Sequence, residues 1–137
     1  MTRLFLDTGY ALALAFPRDQ HHPRATTLAE QYDLPTTRII TTQAVVLEIG
    51  NSLAAPVLRP TGISIINGLR TDPRVTIIEV DNALMARGLT LFEDRPDKQW
   101  SLTDCISFLV MQDKRMTLAL AYDQHFEQAG FRPLMRE

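Results

Sequence analysis

The stretch Arg3-Leu4-Phe5-Leu6-Asp7 reads as a short, mostly apolar β-strand that ends on an acid. Working outward from it, Tyr10 to Phe16 is apolar and helix-compatible until Pro17 stops it. A second helix fits from His22 or Pro23 to Tyr32, with Ala25, Leu28, Ala29 and Tyr32 on one face. Arg38 to Thr42 is short and β-rich, and Thr41 or Thr42 then caps a helix from Ala44 to Leu53. A helical stretch near residues 61–70 carries Ile63, Ile66 and Leu69 at helical spacing and breaks at Asp72-Pro73. Val75 to Val80 is the clearest strand, rich in β-branched residues. Asp81 is placed to cap a helix through about Phe92, and a polar loop runs from Glu93 to Trp100. Ser101 to Asp104 opens a helix reaching about Lys114. Thr117 to Tyr122 is a strand, Asp123 to Gln128 a helical turn stopped by Gly130, and Phe131 to Leu134 a last strand.

Strands alternating with helices along the whole length predict an α/β sandwich on a mainly parallel sheet. Ligands of such sheets lie beyond the C-terminal ends of the strands. Asp7 and Asp123 each follow an apolar strand, so both are expected on that one edge.

With 137 residues the chain fits one domain, residues 1–137, large enough to bury a hydrophobic core. No linker, repeat, signal peptide or membrane-length apolar run is evident. The single cysteine, Cys105, has no internal disulfide partner, which makes a reducing, cytoplasmic setting the natural expectation. Its neighbours Ile106, Phe108 and Leu109 suggest an inert buried thiol. A net charge of −2 argues against a protein that coats nucleic acid by bulk charge. It leaves room for a nuclease, because clustered acids neutralised by a metal ion lower the formal charge without making the rim acidic.

Four acids stand out when read together: Asp7, Glu48, Asp104 and Asp123. Each has a local explanation alone. Asp7 and Asp123 suit turns or helix caps, and Asp104 completes a Ser-x-x-Asp capping box with Ser101. Glu48 fits a solvated helix face, with Val46, Ile49, Gly50 and Leu53 inward and Ala44, Val45, Asn51 and Ser52 beside it. As a set, two strand-end acids and two helix-borne acids can converge on one pocket. Close carboxylates stay ionised together only when a cation compensates them. An all-oxygen site without Cys or suitably spaced His selects a hard ion, Mg²⁺ or Mn²⁺, over zinc. Such an ion suits phosphodiester chemistry.

The segments Phe5-Leu6-Asp7-Thr8-Gly9-Tyr10-Ala11-Leu12 and Val46-Leu47-Glu48-Ile49-Gly50-Asn51-Ser52-Leu53 resemble the first two acidic motifs of PIN domains. Trp100-Ser101-Leu102-Thr103-Asp104-Cys105 and Ala121-Tyr122-Asp123-Gln124-His125-Phe126 resemble the last two and are the more diagnostic. Order and spacing agree from residue 3 to residue 131 and look most like VapC-type toxins and their solitary relatives. The resemblance implies a three-layer α/β/α sandwich on a mainly parallel five-stranded sheet. It implies a metal-dependent endoribonuclease, with Mg²⁺ or Mn²⁺ held by Asp7, Glu48, Asp104 and Asp123. Thr8 would orient the site through its hydroxyl, and Ser101 would do the same or simply cap its helix. An RNA substrate, a cognate antitoxin of a type II pair and a homodimer are implied as partners, with no membrane. The alternative is a PIN-fold metal- or protein-binding module with weak or no nuclease activity. Gly9 and Ala121 motivate it, standing where polar residues are frequent in the family and removing two polar groups expected near the metal.

Arg18, Arg24, Arg95 and Lys98 flank the expected mouth and are candidate RNA-phosphate contacts, or ordinary solvated surface. Trp100 fits a packing anchor better than a base-stacking platform, and Asp97 a solvent-facing acid. His21, His22 and His125 lack ligand spacing to one another; the first two read as loop surface and the third as part of a helical turn. A phosphoryl-acceptor domain like a response regulator would need paired acids after the first strand and a lysine after the last core strand. Thr8-Gly9 follows Asp7 and no such lysine appears.

Overall fold

A computed structural model of the chain describes residues 1–137. Five parallel strands run in the order β3-β2-β1-β4-β5: β1 is Thr2–Leu6, β2 Thr37–Thr42, β3 Val75–Ile78, β4 Leu118–Leu120 and β5 Arg132–Pro133. The helices are α1 (Thr8–Ala15), α2 (His22–Gln31), α3 (Gln43–Ser52), α4 (Arg59–Thr71), α5 (Asn82–Asp94), α6 (Leu102–Asp113) and α7 (Gln124–Gln128), and a 3-10 turn spans Leu134–Arg136. The expected three-layer α/β/α sandwich on a five-stranded parallel sheet is the fold observed. No helix is long and apolar enough to cross a membrane.

The central strand β1 faces apolar neighbours on both sides, because helices cover both faces of a parallel sheet. Leu4 and Leu120 pack with Tyr10, Ala13, Ala25 and Leu28 of α1 and α2. Phe5, Ala119 and Ala121 pack with Val45 and Ile49 of α3 and with Cys105, Phe108 and Met111 of α6. Phe108 meets Trp100 and Phe126 edge to face, at 5.0 and 5.1 Å between ring centroids. Each such pair contributes about 0.5–1.5 kcal/mol beyond the area it buries. Helix α5 lies against α6 closely enough that a Cβ on Gly88 would come within 2.8 Å of Ile106 Cγ1.

Several boundaries differ from the sequence expectations, each for a local reason. Strand β3 ends at Ile78, paired with Thr42, because β2 turns there into α3. Beyond it Val80 donates its N–H to the Gln43 side chain at 2.9 Å instead of to a strand. The last strand shrinks to Arg132–Pro133, since proline brings no N–H to continue a ladder and the chain tightens into the 3-10 turn. Helix α1 begins at Thr8, directly after Asp7, and α4 at Arg59 with Pro60 in its first turn, while Ile63 is exposed. On α3 the buried face is Val45, Ile49 and Leu53, so Val45 belongs to the core and not to the outer face with Glu48. The phase is set by Thr42, whose Oγ1 accepts the Val45 N–H at 3.2 Å.

Candidate active site

The strand order places a topological switch at β1, from which the chain first winds toward β3 and later returns to add β4 and β5. A crevice opens at such a point, beyond the C-terminal strand ends. Here it is a cleft of about 680 Å³ lined by Asp7, Glu48, Asp104 and Asp123 together with Thr8, Gly9 and Ser101. Leu12 and Tyr122 are its only lining residues with mainly apolar side chains. A second cavity, of about 380 Å³ between α1, α2, α4 and the sheet, is walled chiefly by aliphatic and aromatic side chains and holds none of the four acids.

The acids arrive from four elements. Asp7 follows β1, and its backbone N–H donates to Leu120 O of β4 at 3.1 Å, tying the two strand ends together. It occupies the N-cap position of α1 without making a side-chain cap, so the capping role suggested by sequence is not the one its carboxylate performs. Beside it, the buried Thr41 hydroxyl donates to Leu6 O at 2.8 Å and fixes the end of β1. Glu48 reaches in from α3 and accepts a hydrogen bond from the Thr8 hydroxyl. Asp104 sits in the first turn of α6 within a complete capping box. Its Oδ2 accepts the Ser101 N–H, and Ser101 Oγ accepts the Asp104 N–H, both at 3.0 Å. Asp123 caps α7, its Oδ1 accepting the His125 N–H at 3.0 Å.

His125 is the component that sequence reasoning missed. Its Nδ1 stands 2.9 Å from Asp104 Oδ2 and 3.2 Å from Asp123 Oδ2. An ionised carboxylate only accepts, so this nitrogen carries the proton and donates. Ligand atoms of Asp104, Asp123 and His125 lie within 4.8 Å of one another. The signal available in sequence was a histidine two residues after a strand-end acid. Spacing between histidines was the wrong ruler, because the partners of His125 are carboxylates.

The electrostatics favour a bound cation. Burial pushes the Asp7 carboxyl from 3.8 up to about 7, and the negative charges of Asp104, Glu48 and Asp123 push the same way, against a backbone hydrogen bond from Thr8. Burial is the largest of these effects, and the neighbouring acids add to it. A divalent ion would reverse that penalty. Three aspartates and a glutamate around an open polar cleft are oxygen donors of the kind hard cations take, so these residues fit such an ion.

The basic candidates lie elsewhere. Arg24 gives its Nε and Nη2 hydrogens to Leu134 O at 3.2 and 3.1 Å and so holds the C-terminal turn. Arg95 grips Asp97 through two bonds of 3.0 Å and lies over the Trp100 ring at 5.0 Å. Lys98 stands 4.0 Å from Asp97, and Arg18 is exposed. None of these four lines the cleft, whose one arginine is Arg136. Trp100 is buried, donating its Nε1 hydrogen to Gln128 at 3.0 Å, which fits an anchor. Two histidines depart from the loop-surface expectation. His22 Nδ1 contacts Ala13 O at 2.8 Å, and His21 stacks on Tyr122 within the cleft, with ring centroids 3.7 Å apart. Ala121 is fully buried in the apolar cluster and lines no part of the cleft. Gly9 does line the cleft, with no atom within 4 Å of where a Cβ would stand.

Comparison with known proteins agrees with the fold. The fold is similar to that of the Mycobacterium tuberculosis toxin VapC20, which cleaves the sarcin–ricin loop: TM-score 0.85, 24% identity, 95% of this chain and 97% of that one. It is also similar to VapBC2 of Rickettsia felis, solved on a DNA fragment from their promoter, at TM-score 0.65 and 11% identity over 94% of each chain. FitAcB of Neisseria gonorrhoeae gives TM-score 0.64 and 17% identity, over 95% of this chain and 97% of that one. No curated protein matches the chain by sequence. A family model described as PIN domain matches residues 4–132, so the chain belongs to the PIN-domain family.

Proposed function

We propose that the chain is a metal-dependent endoribonuclease that hydrolyses RNA phosphodiester bonds with Mg²⁺ or Mn²⁺, and that it acts as the toxin of a type II toxin–antitoxin pair. The observation that carries the nuclease reading is the convergence of Asp7, Glu48, Asp104 and Asp123 on one cleft, with Asp7 raised to about 7 by burial and by its acidic neighbours. When bound, a divalent ion supplies a polarised water and a counter-charge for the phosphodiester oxygens. Asp7, Asp104, Asp123 and Glu48 are the residues that would hold it. The Thr8 hydroxyl orients Glu48, and the His125 ring N–H orients Asp104 while its edge lies beside Asp123. The toxin role is supported by the likeness to VapC20, itself described as a toxin.

The test is cleavage of RNA by the purified protein. Activity is expected with Mg²⁺ or Mn²⁺, absent with EDTA, and reduced at least a hundredfold by Asp104→Asn or Glu48→Gln. Undiminished cleavage by protein carrying both Asp104→Asn and Glu48→Gln overturns the nuclease assignment. Induced expression is expected to arrest growth for the wild type and not for Asp104→Asn, and unimpaired growth with active wild-type protein overturns the toxin role alone.

A further inference from the structure

An acidic cleft that works on RNA repels its substrate unless a cation faces the backbone, and this cleft has one arginine. We infer that Arg136 and His21, both held against the Tyr122 ring, form a phosphate subsite for the RNA backbone beside the bond to be cut. The inference rests on the nuclease reading above and adds the residues that grip the substrate.

Three observations carry it. Arg136, His21 and Tyr122 line the same cleft as the four acids. Their geometry is mutually supporting: the His21 ring lies on the Tyr122 ring at 3.7 Å, and the Arg136 guanidinium carbon stands 5.1 Å from the centroid of that ring. A partly exposed tyrosine thus orders two nitrogen-rich side chains, lowering the entropy lost when they meet a ligand. Lastly, Arg136 keeps hydrogen-bonding capacity. Its Nη1 donates to Tyr122 O at a long 3.3 Å, its Nε is 3.7 Å from Glu127, and Nη2 has no partner. Arg24 and Arg95, by contrast, spend their donors on Leu134 O and Asp97.

The ligand that fits is a phosphodiester of single-stranded or looped RNA. The planar guanidinium offers paired donors matched to phosphate oxygens, and His21 adds a ring N–H from the neighbouring loop. Asp19, which lines the cleft and accepts the His21 backbone N–H at 2.8 Å, fixes that loop's turn. Because the pair and the acids line one cleft, a strand lying in it with one phosphate at the acids presents another to Arg136 and His21.

The experiment measures binding of a fluorescein-labelled mixed-sequence oligoribonucleotide to the full chain carrying Asp104→Asn, across a range of NaCl concentrations. Adding Arg136→Gln is expected to weaken binding at least tenfold and to lower the salt slope by about one. Arg136→Lys keeps the slope, and Arg38→Gln, on β2 and outside the cleft, changes neither quantity. His21→Asn, a loop change that leaves the C-terminal turn alone, weakens binding severalfold and serves as the second variant should Arg136→Gln unfold. In protein with all four acids intact, Arg136→Gln raises KM and leaves kcat within a few-fold. Unchanged affinity and slope in both Arg136→Gln and His21→Asn overturn the subsite while leaving the nuclease reading standing if wild-type protein cleaves RNA. Wild-type protein that does not cleave RNA, together with an Asp104→Asn parent that does not bind it, overturns both.

Discussion

His125 Nδ1 hydrogen-bonds Asp104 Oδ2 at 2.9 Å and stands 3.2 Å from Asp123 Oδ2, so one imidazole edge sits between two acids delivered by different elements. Without that donor Asp104 loses the hydrogen bond that ties it to α7. His125→Leu is expected to weaken Mn²⁺ binding tenfold or more in calorimetric titration, the range typical when a hydrogen bond that orients metal ligands is lost. His125→Asn keeps an N–H close to the Nδ1 position and restores most of the affinity. Equal affinity in wild type and His125→Leu would show the histidine to be a bystander.

Asp7 makes stability depend on pH and metal. Its folded pKa of about 7 lies above the ordinary 3.8, so its favourable contribution is complete below about pH 4 and is lost as pH rises through 7. In EDTA, the wild-type Tm is expected to fall between pH 5 and pH 8 by a few degrees more than that of Asp7→Asn, consistent with a change of one to two kcal/mol at about 2–4 °C each. Mn²⁺ should restore the wild type at pH 8 and do little for the variant. Parallel pH profiles for the two proteins would contradict this.

Ser101 and Asp104 close the N-terminus of α6 reciprocally. Ser101→Ala removes the acceptor for the Asp104 N–H and is expected to cost about 1 kcal/mol, read as a lower urea midpoint at constant slope. Ser101→Thr retains the cap and the midpoint.

Gly88 permits the close approach of α5 to α6. Gly88→Ala is expected to destabilise by about 1–3 kcal/mol through overpacking against Ile106. Ile106→Ala in the same chain should cost less than the sum of the single changes, because the clash disappears with the side chain. Mn²⁺ affinity should be unaffected, since neither residue lines the cleft.

The apolar run before Asp7 and the β-branched run Val75–Ile78 carry their structure in local pattern, and alternation with helices was enough to place Asp7 and Asp123 at one sheet edge. What pattern could not set was helix phase where apolar residues are consecutive. In Ala44-Val45-Val46-Leu47 any of several faces satisfies the period, and the Thr42 cap selects the one containing Val45. The cations escaped for a similar reason. Arg18, Arg24, Arg95 and Lys98 are near the acids in sequence or loop order, whereas Arg136 arrives through the 3-10 turn after β5. His125 was hidden because its partner Asp104 is 21 residues away and meets it only after α6 and β4 have packed.

The placement of β1 at the centre of the sheet has a consequence for the order of folding. Strand β1 pairs with β4 across 114 residues of sequence, Phe5 beside Ala119, and Asp123 follows directly on that late partner. A chain in which this pairing has not formed holds Asp7 and Glu48 without the Asp123 side of the pocket. Parallel pairing across so long a separation is slow, because the loop must close before any contact rewards it. The acidic cleft is accordingly a late product of folding, assembled only once the longest-range pairing in the sheet has closed.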